Sequence, residues 1–175
     1  MILNIMSIKK NISLSPAQTK KIGRSLALEI LRGGPKESAA LLFLEGELGG
    51  GKTTFVQGFA RGLGIKEAIL SPTFVILKKF KITKPQNIKI SKYQNIKISK
   101  YQNFCHIDCY RIKNEKEMIG LGFKKIVSCP GNIVCVEWPE RIKKILVKPA
   151  LRLKFRFLDK NQREITVSGL DKVFF

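Results

Sequence analysis

One histidine, one tryptophan and four cysteines are all that this 175-residue chain has of those types, and acids are scarce: 13 Asp+Glu face 33 Lys+Arg. No two of the cysteines form a CxxC pair, so a disulfide framework is not expected, and reduced thiols in a cytoplasm fit better. Long hydrophobic runs are missing too. The longest purely apolar stretch, Ala39 to Leu44, has six residues, far short of the roughly 20 that cross a bilayer, so no membrane partner is expected. The start, MILNIMSIKK, lacks a basic stretch ahead of its apolar part and a small-residue cleavage site, and is not expected to be a secretory leader. What is present, 44% hydrophobic and 26% charged residues, excludes wholesale disorder. The length suits one domain over residues 1–175 with a core of its own.

The scarcity of acids leaves a net charge of +20. A basic surface concentrates nucleic acid around it, with salt-dependent phosphate contacts. The competing reading is compositional drift, because 25 of the 33 basic residues are Lys and 8 are Arg. Lys is a solvated point charge, whereas specific RNA readers favour the planar, stacking fork of Arg. Both readings stay open at this level.

Periodicity and punctuation outline an α/β chain. Ser15-Pro16 opens a helix, with Ser as cap and Pro in the first turn. Ile22, Leu26 and Ile30 recur every four residues before Gly33-Gly34 closes it. A buried strand over Ala39–Leu44 follows, then a glycine-rich turn and a helix from Thr53 to about Leu63. Strands are expected at Phe74–Phe80, Phe104–Arg111 and Asn132–Glu137, with a helix around Glu115–Ile126 and a turn at Pro130-Gly131. The chain closes as a hairpin of Leu151–Leu158 and Glu164–Ser168, in which Arg152, Lys154 and Arg156 share the outward face. Strands alternating with helices predict a mixed, partly parallel central sheet flanked by helices.

One segment breaks this rhythm. QNIKISKY at 86–93 recurs unchanged at 94–101, and Gln102-Asn103 begins a third copy. Eight residues are too few for a solenoid unit. No acid lies between Glu67 and Asp108, while eight Lys do. The stretch at about 84–103 reads as a duplicated insertion in a β-hairpin loop, where added length costs little closure entropy.

The strongest chemical signal is GELGGGKT, Gly46 to Thr53, a match to GxxxxGK[ST] between an apolar strand and a helical pattern. Glycines there let the backbone aim its N–H groups inward as a nest for phosphate, and the helix N-terminus adds partial positive charge. Glu47, Leu48, Gly49, Gly50, Gly51, Lys52, Thr53 and Thr54 are the expected nucleotide-binding positions, with Lys52 on the β- and γ-phosphates and the Thr53 hydroxyl on Mg²⁺. Such a site needs acids at neighbouring strand ends, and Asp108 and Glu137 both follow apolar runs. Cys105, His106 and Cys109 hint at a metal, but no second ligand pair accompanies them and zinc is not expected. Trp138 reads as a packing residue or a shield for the site.

A guanine-reading NKxD is absent, which speaks against a small GTPase. No Arg-rich lid is visible, which disfavours a small-molecule kinase without excluding it. The ordered set SxxxTxxxG (Ser15–Gly23), GELGGGKTT (Gly46–Thr54), SPTF (Ser71–Phe74), HIDCYR (His106–Arg111) and VEWPER (Val136–Arg141) resembles the TsaE family of P-loop ATPases in tRNA threonylcarbamoyladenosine biosynthesis. The resemblance spans about Ser13 to Gly169 and implies a P-loop NTPase fold, ATP and Mg²⁺ as cofactors, and hydrolysis that resets a TsaB–TsaD complex acting on tRNA. It implies that Thr53 and Glu137 hold Mg²⁺, that Asp108 is the acid for the metal's water or the attacking water, and that Thr73 senses the γ-phosphate, so that Asp108, Lys52 and Thr73 form the catalytic set. Trp138 and Tyr110 would lie at the partner-facing rim. Gln57 departs from the family by replacing an Arg, and Cys109 by replacing a Leu. A nucleic-acid adaptor with a vestigial P-loop is the remaining alternative.

Overall fold

The computed structural model describes residues 9–35, 37–70, 76–83, 101–146 and 149–169. In chain order its elements are β1 (Lys9–Ser13), α1 (Pro16–Gly33), β2 (Ala40–Gly46), α2 (Lys52–Gly62), β3 (Leu77–Lys81), β4 (Asn103–Asp108), α3 (Glu115–Gly120), α4 (Phe123–Ser128), β5 (Asn132–Glu137), a 3-10 helix (Pro139–Ile145), β6 (Leu151–Phe157) and β7 (Arg163–Ser168). The seven strands form one sheet in the order β1-β7-β6-β2-β5-β4-β3. The inner four, β6, β2, β5 and β4, run parallel; β3 and β7 flank them antiparallel, and β1 pairs antiparallel with β7 at the edge. The expected mixed sheet is therefore present.

β2 sits at the centre because both of its faces are apolar. Leu42 and Leu44 point into one layer with Phe55, Phe59 and Ala27 of the two long helices. Leu41 and Phe43 point into the other, with Met118, Phe123, Val127 and Ile142 of the short helices. A continuous apolar run of this kind suits a parallel strand covered on both sides. α1 starts where Ser15 accepts a hydrogen bond from the Gln18 amide. Its buried stripe is Gly23, Ala27 and Ile30-Leu31. Ile22 and Leu26, picked out by their spacing, are only partly buried at the edge of that stripe.

Glycine sets how closely α1 and α2 approach. A Cβ on Gly58 would collide with the Lys20 carbonyl oxygen, and one on Gly23 with that of Phe55. The two backbones touch where a side chain has no room.

Several expected boundaries move. The helix foreseen around Glu115–Ile126 is two short helices, broken at Gly122, which takes φ 75°. The strand foreseen at Phe104–Arg111 ends at Asp108, since the chain turns at Tyr110-Arg111. β3 starts at Leu77; the 74–75 part of that prediction lies, with the SPTF motif, outside the described residues. So do residues 86–100 of the repeat. The described residues on either side pair antiparallel as β3 and β4. β1 and the 3-10 helix were not foreseen; β1 is a short edge strand that pairs with β7. Among the described residues no helix is long and apolar enough to cross a membrane.

Two predictions follow from the packing. Gly58→Ala forces the α1–α2 backbones apart, and chemical denaturation should record a loss of about 3 kcal/mol, the upper end for overpacking. Burial pushes the thiols of Cys105 and Cys109 up to about 11 and about 12, and that of Cys135 well above the ordinary thiol range. These three stay protonated, hence non-nucleophilic, throughout pH 7–9. Exposed Cys129 should be the one thiol of four that reacts promptly with a disulfide reagent in the native protein, the others reacting only on unfolding.

Candidate functional site

The chemistry gathers at the carboxyl ends of the parallel strands, where open α/β sheets place their ligands. Gly46 ends β2, and the chain passes through Glu47–Gly51 before α2 begins at Lys52. Gly51 caps that helix with φ 97°, in the left-handed region, and among the described residues no side chain caps its first amides. Those N–H groups have no partner inside the helix by construction. They face a cleft of about 230 Å³ lined by Leu48, Gly49, Gly50, Gly51, Lys52, Thr53 and Thr54, with Asp108 and Glu137 on its far side.

Lys52 is buried, and its Nζ donates to the carbonyls of Gly46 at 2.6 Å and Glu47 at 2.8 Å. Trp138 places its ring 4.0 Å from the same nitrogen. Desolvation lowers the Lys52 pKa most; Glu137, Glu140, Asp108 and Glu47 oppose that shift through their charges. The ammonium is thus held by dipoles and a ring face, without a bound carboxylate among the described residues, and an anion entering the cleft would meet a cation still short of a counter-charge. Trp138 itself has φ 57°, the one described non-glycine residue with positive φ. Left-handed backbone at a bulky residue is costly and collects at functional positions.

The two acids lie side by side because β4 and β5 pair in parallel with Asp108 opposite Glu137. Burial raises the Asp108 pKa most, the amide of Tyr110 donating to its Oδ1 at 2.9 Å holds it down, and the Glu137 charge raises it again. Glu137 is buried and bonded to His106, Nε2 to Oε1, at 2.8 Å. His106 and Asp108 share one face of β4. Strand alternation sends Cys105 and Cys109 to the opposite apolar layer, so the three residues that hinted at a metal do not converge.

Sequence reading missed the wall opposite the acids. Lys160, Asn161 and Arg163 of the β6–β7 hairpin and Pro16 and Thr19 of α1 complete the cleft. Arg163 donates from Nε to the Gly49 carbonyl at 3.0 Å and lies against Gly51. No local pattern marks it; the hairpin reads only as a polar turn. Of the expected positions, Leu48 to Thr54, Asp108 and Glu137 come together here. Glu47 turns its side chain outward and serves through its carbonyl, and Thr73 lies outside the described residues. Gln57, the departure at the helix, donates to the Ile69 carbonyl at 3.0 Å and ties down the segment ahead of residue 71.

A bare helix N-terminus after a glycine loop, an underpaired lysine and a hydroxyl beside two carboxylates suit a nucleotide's phosphates with a divalent cation. With the central parallel strands, they define an α/β protein of the P-loop NTPase fold. The model of the family described as threonylcarbamoyl adenosine biosynthesis protein TsaE matches residues 13–165. The chain belongs to the TsaE family. It is 33% identical over 159 residues to the tRNA threonylcarbamoyladenosine biosynthesis protein TsaE of Bacillus subtilis, covering 90% of this chain and 84% of that protein. The Treponema pallidum protein of the same name is 34% identical over 133 residues, 75% of this chain and 84% of its own. Among solved structures, that of Bacillus subtilis YdiB superposes with a TM-score of 0.68 at 27% identity, covering 96% of this chain and 90% of that one.

Arg163→Ala removes the tether between hairpin and glycine loop. Nucleotide affinity, followed through the fluorescence of the single tryptophan, should fall about five- to tenfold, the worth of one hydrogen bond. Arg163→Lys should not restore it, lacking the planar fork.

Proposed function

We propose that the protein is a Mg²⁺-dependent ATPase of tRNA N6-threonylcarbamoyladenosine modification, acting in the cytoplasm with a TsaB–TsaD-type complex, which hydrolysis resets between rounds on tRNA. The observation that carries this reading is the convergence of Lys52, Thr53, Asp108 and Glu137 on one cleft at the end of β2. Family membership supplies the pathway, and the relatives carry it in their names.

In this mechanism the amides of Gly49 to Lys52 hold the phosphates and the Lys52 ammonium leaves its carbonyl partners for the β- and γ-oxygens. Thr53 and Glu137 would hold Mg²⁺, which when bound neutralises charge developing on the phosphates. Asp108, fixed by the Tyr110 amide, is aimed as an acceptor for a water proton. Burial raises its pKa, which makes it a stronger base than an exposed aspartate. Thr73 keeps its assignment as γ-phosphate sensor by resemblance alone. The 1–175 chain acts as one domain in this reading, since the P-loop and both acids emerge from one sheet.

The adaptor alternative draws on Arg152, Lys154 and Arg156, which do face outward on β6. Acids temper that face: Glu45 pairs with Arg152, and Glu164 with Lys10. A kinase would phosphorylate a metabolite in place of water.

Phosphate release from ATP should be slow for the protein alone and rise when its own TsaB–TsaD partners are added. Lys52→Ala should abolish nucleotide binding. Asp108→Asn should bind nucleotide but cut partner-stimulated turnover by at least about a hundredfold, the scale of a positioned base. Turnover indifferent to partners would point to an independent enzyme, and RNA binding untouched by Lys52→Ala without any turnover would favour the adaptor.

A further inference from the structure

The single histidine is placed where a solvated or merely packing role does not account for it. His106 is 1% exposed and Glu137 2%, and their contact is 2.8 Å between Nε2 and Oε1. A carboxylate only accepts, so Nε2 carries the proton and donates it. The ring is fixed from its other side: it lies parallel to Phe104, 7° between planes and 6.3 Å between centroids. β4 and β5 set the spacing, because His106 lies opposite Cys135 and Asp108 opposite Glu137 in the parallel register. His106 therefore reaches two residues along the neighbouring strand, to the next side chain on the same face, to hold the carboxylate that lines the cleft.

Keeping this polar pair in the interior is expensive. An apolar pair of like volume would often serve stability as well or better. The geometry does something that an apolar pair would not: it commits one oxygen of Glu137 to an internal donor and so restricts the carboxylate to one rotamer. The neighbouring acid is treated the same way by a different donor, the Tyr110 amide. Both cleft carboxylates are oriented before any ligand arrives.

We propose that His106 is a positioning residue for the divalent-cation site, acting through Glu137. The inference rests on the reading of the cleft as a Mg²⁺–nucleotide site. Partners of this kind, one step removed from a cation, set how tightly it binds; losing one costs ten- to a hundredfold in metal affinity. His106 touches neither nucleotide nor cation in this account.

Calorimetric titration of a non-hydrolysable ATP analogue, first in EDTA and then across a Mg²⁺ series, tests it without relying on turnover. His106→Phe keeps a ring against Phe104 and deletes the donor. It should raise the Mg²⁺ concentration for half-maximal tightening about ten- to a hundredfold and leave affinity in EDTA unchanged. His106→Gln, able to present an amide N–H, should recover part of that loss. Adding His106→Phe to Glu137→Gln should cost nothing further, because the group being positioned is already altered. If His106→Phe does not fold, His106→Asn, too short to reach Glu137, carries the same comparison. A wild-type Mg²⁺ dependence in the His106→Phe or His106→Asn protein overturns the inference, as does an equal loss of affinity in EDTA or a full further loss in the Glu137→Gln background. A wild-type protein that ignores Mg²⁺ altogether would instead overturn the reading of the cleft and the inference with it.

Discussion

A buried ammonium that no carboxylate binds among the described residues is the constraint around which the rest of this molecule is arranged. Lys52 sits at the head of α2 with two carbonyl oxygens and an indole face for company, and burial works against its charge more than any neighbour supports it. A lysine left so would normally swing out to water. It stays because β2 delivers the Gly46 and Glu47 carbonyls from one side and the left-handed backbone of Trp138 delivers the ring from another. The charge is thus retained at an incomplete level of compensation, which is the condition for binding an anion well: the interaction it lacks is the one a phosphate supplies.

That arrangement tolerates little movement, and the supports are correspondingly stiff. α2 cannot slide along the sheet, because Gly58 and Gly23 let α1 lie against it at backbone contact. The glycine loop is tied to the β6–β7 hairpin by Arg163, and that hairpin belongs to the same sheet through β6 and β2. Phe55, about one turn into α2, meets Phe155 of β6 edge-on at 5.5 Å, so the helix carrying Lys52 and the strand leading to the hairpin share one core. Packed cores shift between discrete arrangements rather than deforming smoothly. A loop anchored on three sides therefore keeps its amides aimed whether or not phosphate is present.

Much of this was legible in the chain itself, for physical reasons that differ by element. β2 and α2 could be read because a phosphate nest needs glycine, lysine and a hydroxyl at fixed spacing between a strand and a helix. The two acids could be read because each terminates a short apolar run, and parallel strands put such ends on one edge. The break between α3 and α4 was within reach, since Gly120 and Gly122 bracket Leu121, but an apolar period running through Met118 and Phe123 hid it. Arg163 and Lys160 were out of reach. Their roles come from the long-range pairing of β6 with β2, and no local pattern records which loop a hairpin will lean on. His106 was read for its neighbours in sequence, Cys105 and Cys109, although alternation on a strand sends those two to the other side.

The location of the charge, finally, separates the site from the bulk of the +20. The cleft itself is close to balanced, with Lys52, Lys160 and Arg163 against Asp108 and Glu137. The excess lies elsewhere, on exposed lysines such as Lys78, Lys79 and Lys81 of β3. Charge on an exposed edge strand has a ready structural use, since it discourages pairing with another chain, and diffuse lysine contributes to encounter with an anionic partner without fixing an orientation. A phosphate entering the cleft would meet a different kind of positive charge: Lys52, buried and held by the Gly46 and Glu47 carbonyls, and Arg163, tied to the Gly49 carbonyl. On the proposed reading, phosphate is held by the groups at the strand ends, and the lysines of β3 lie outside the lining of the cleft.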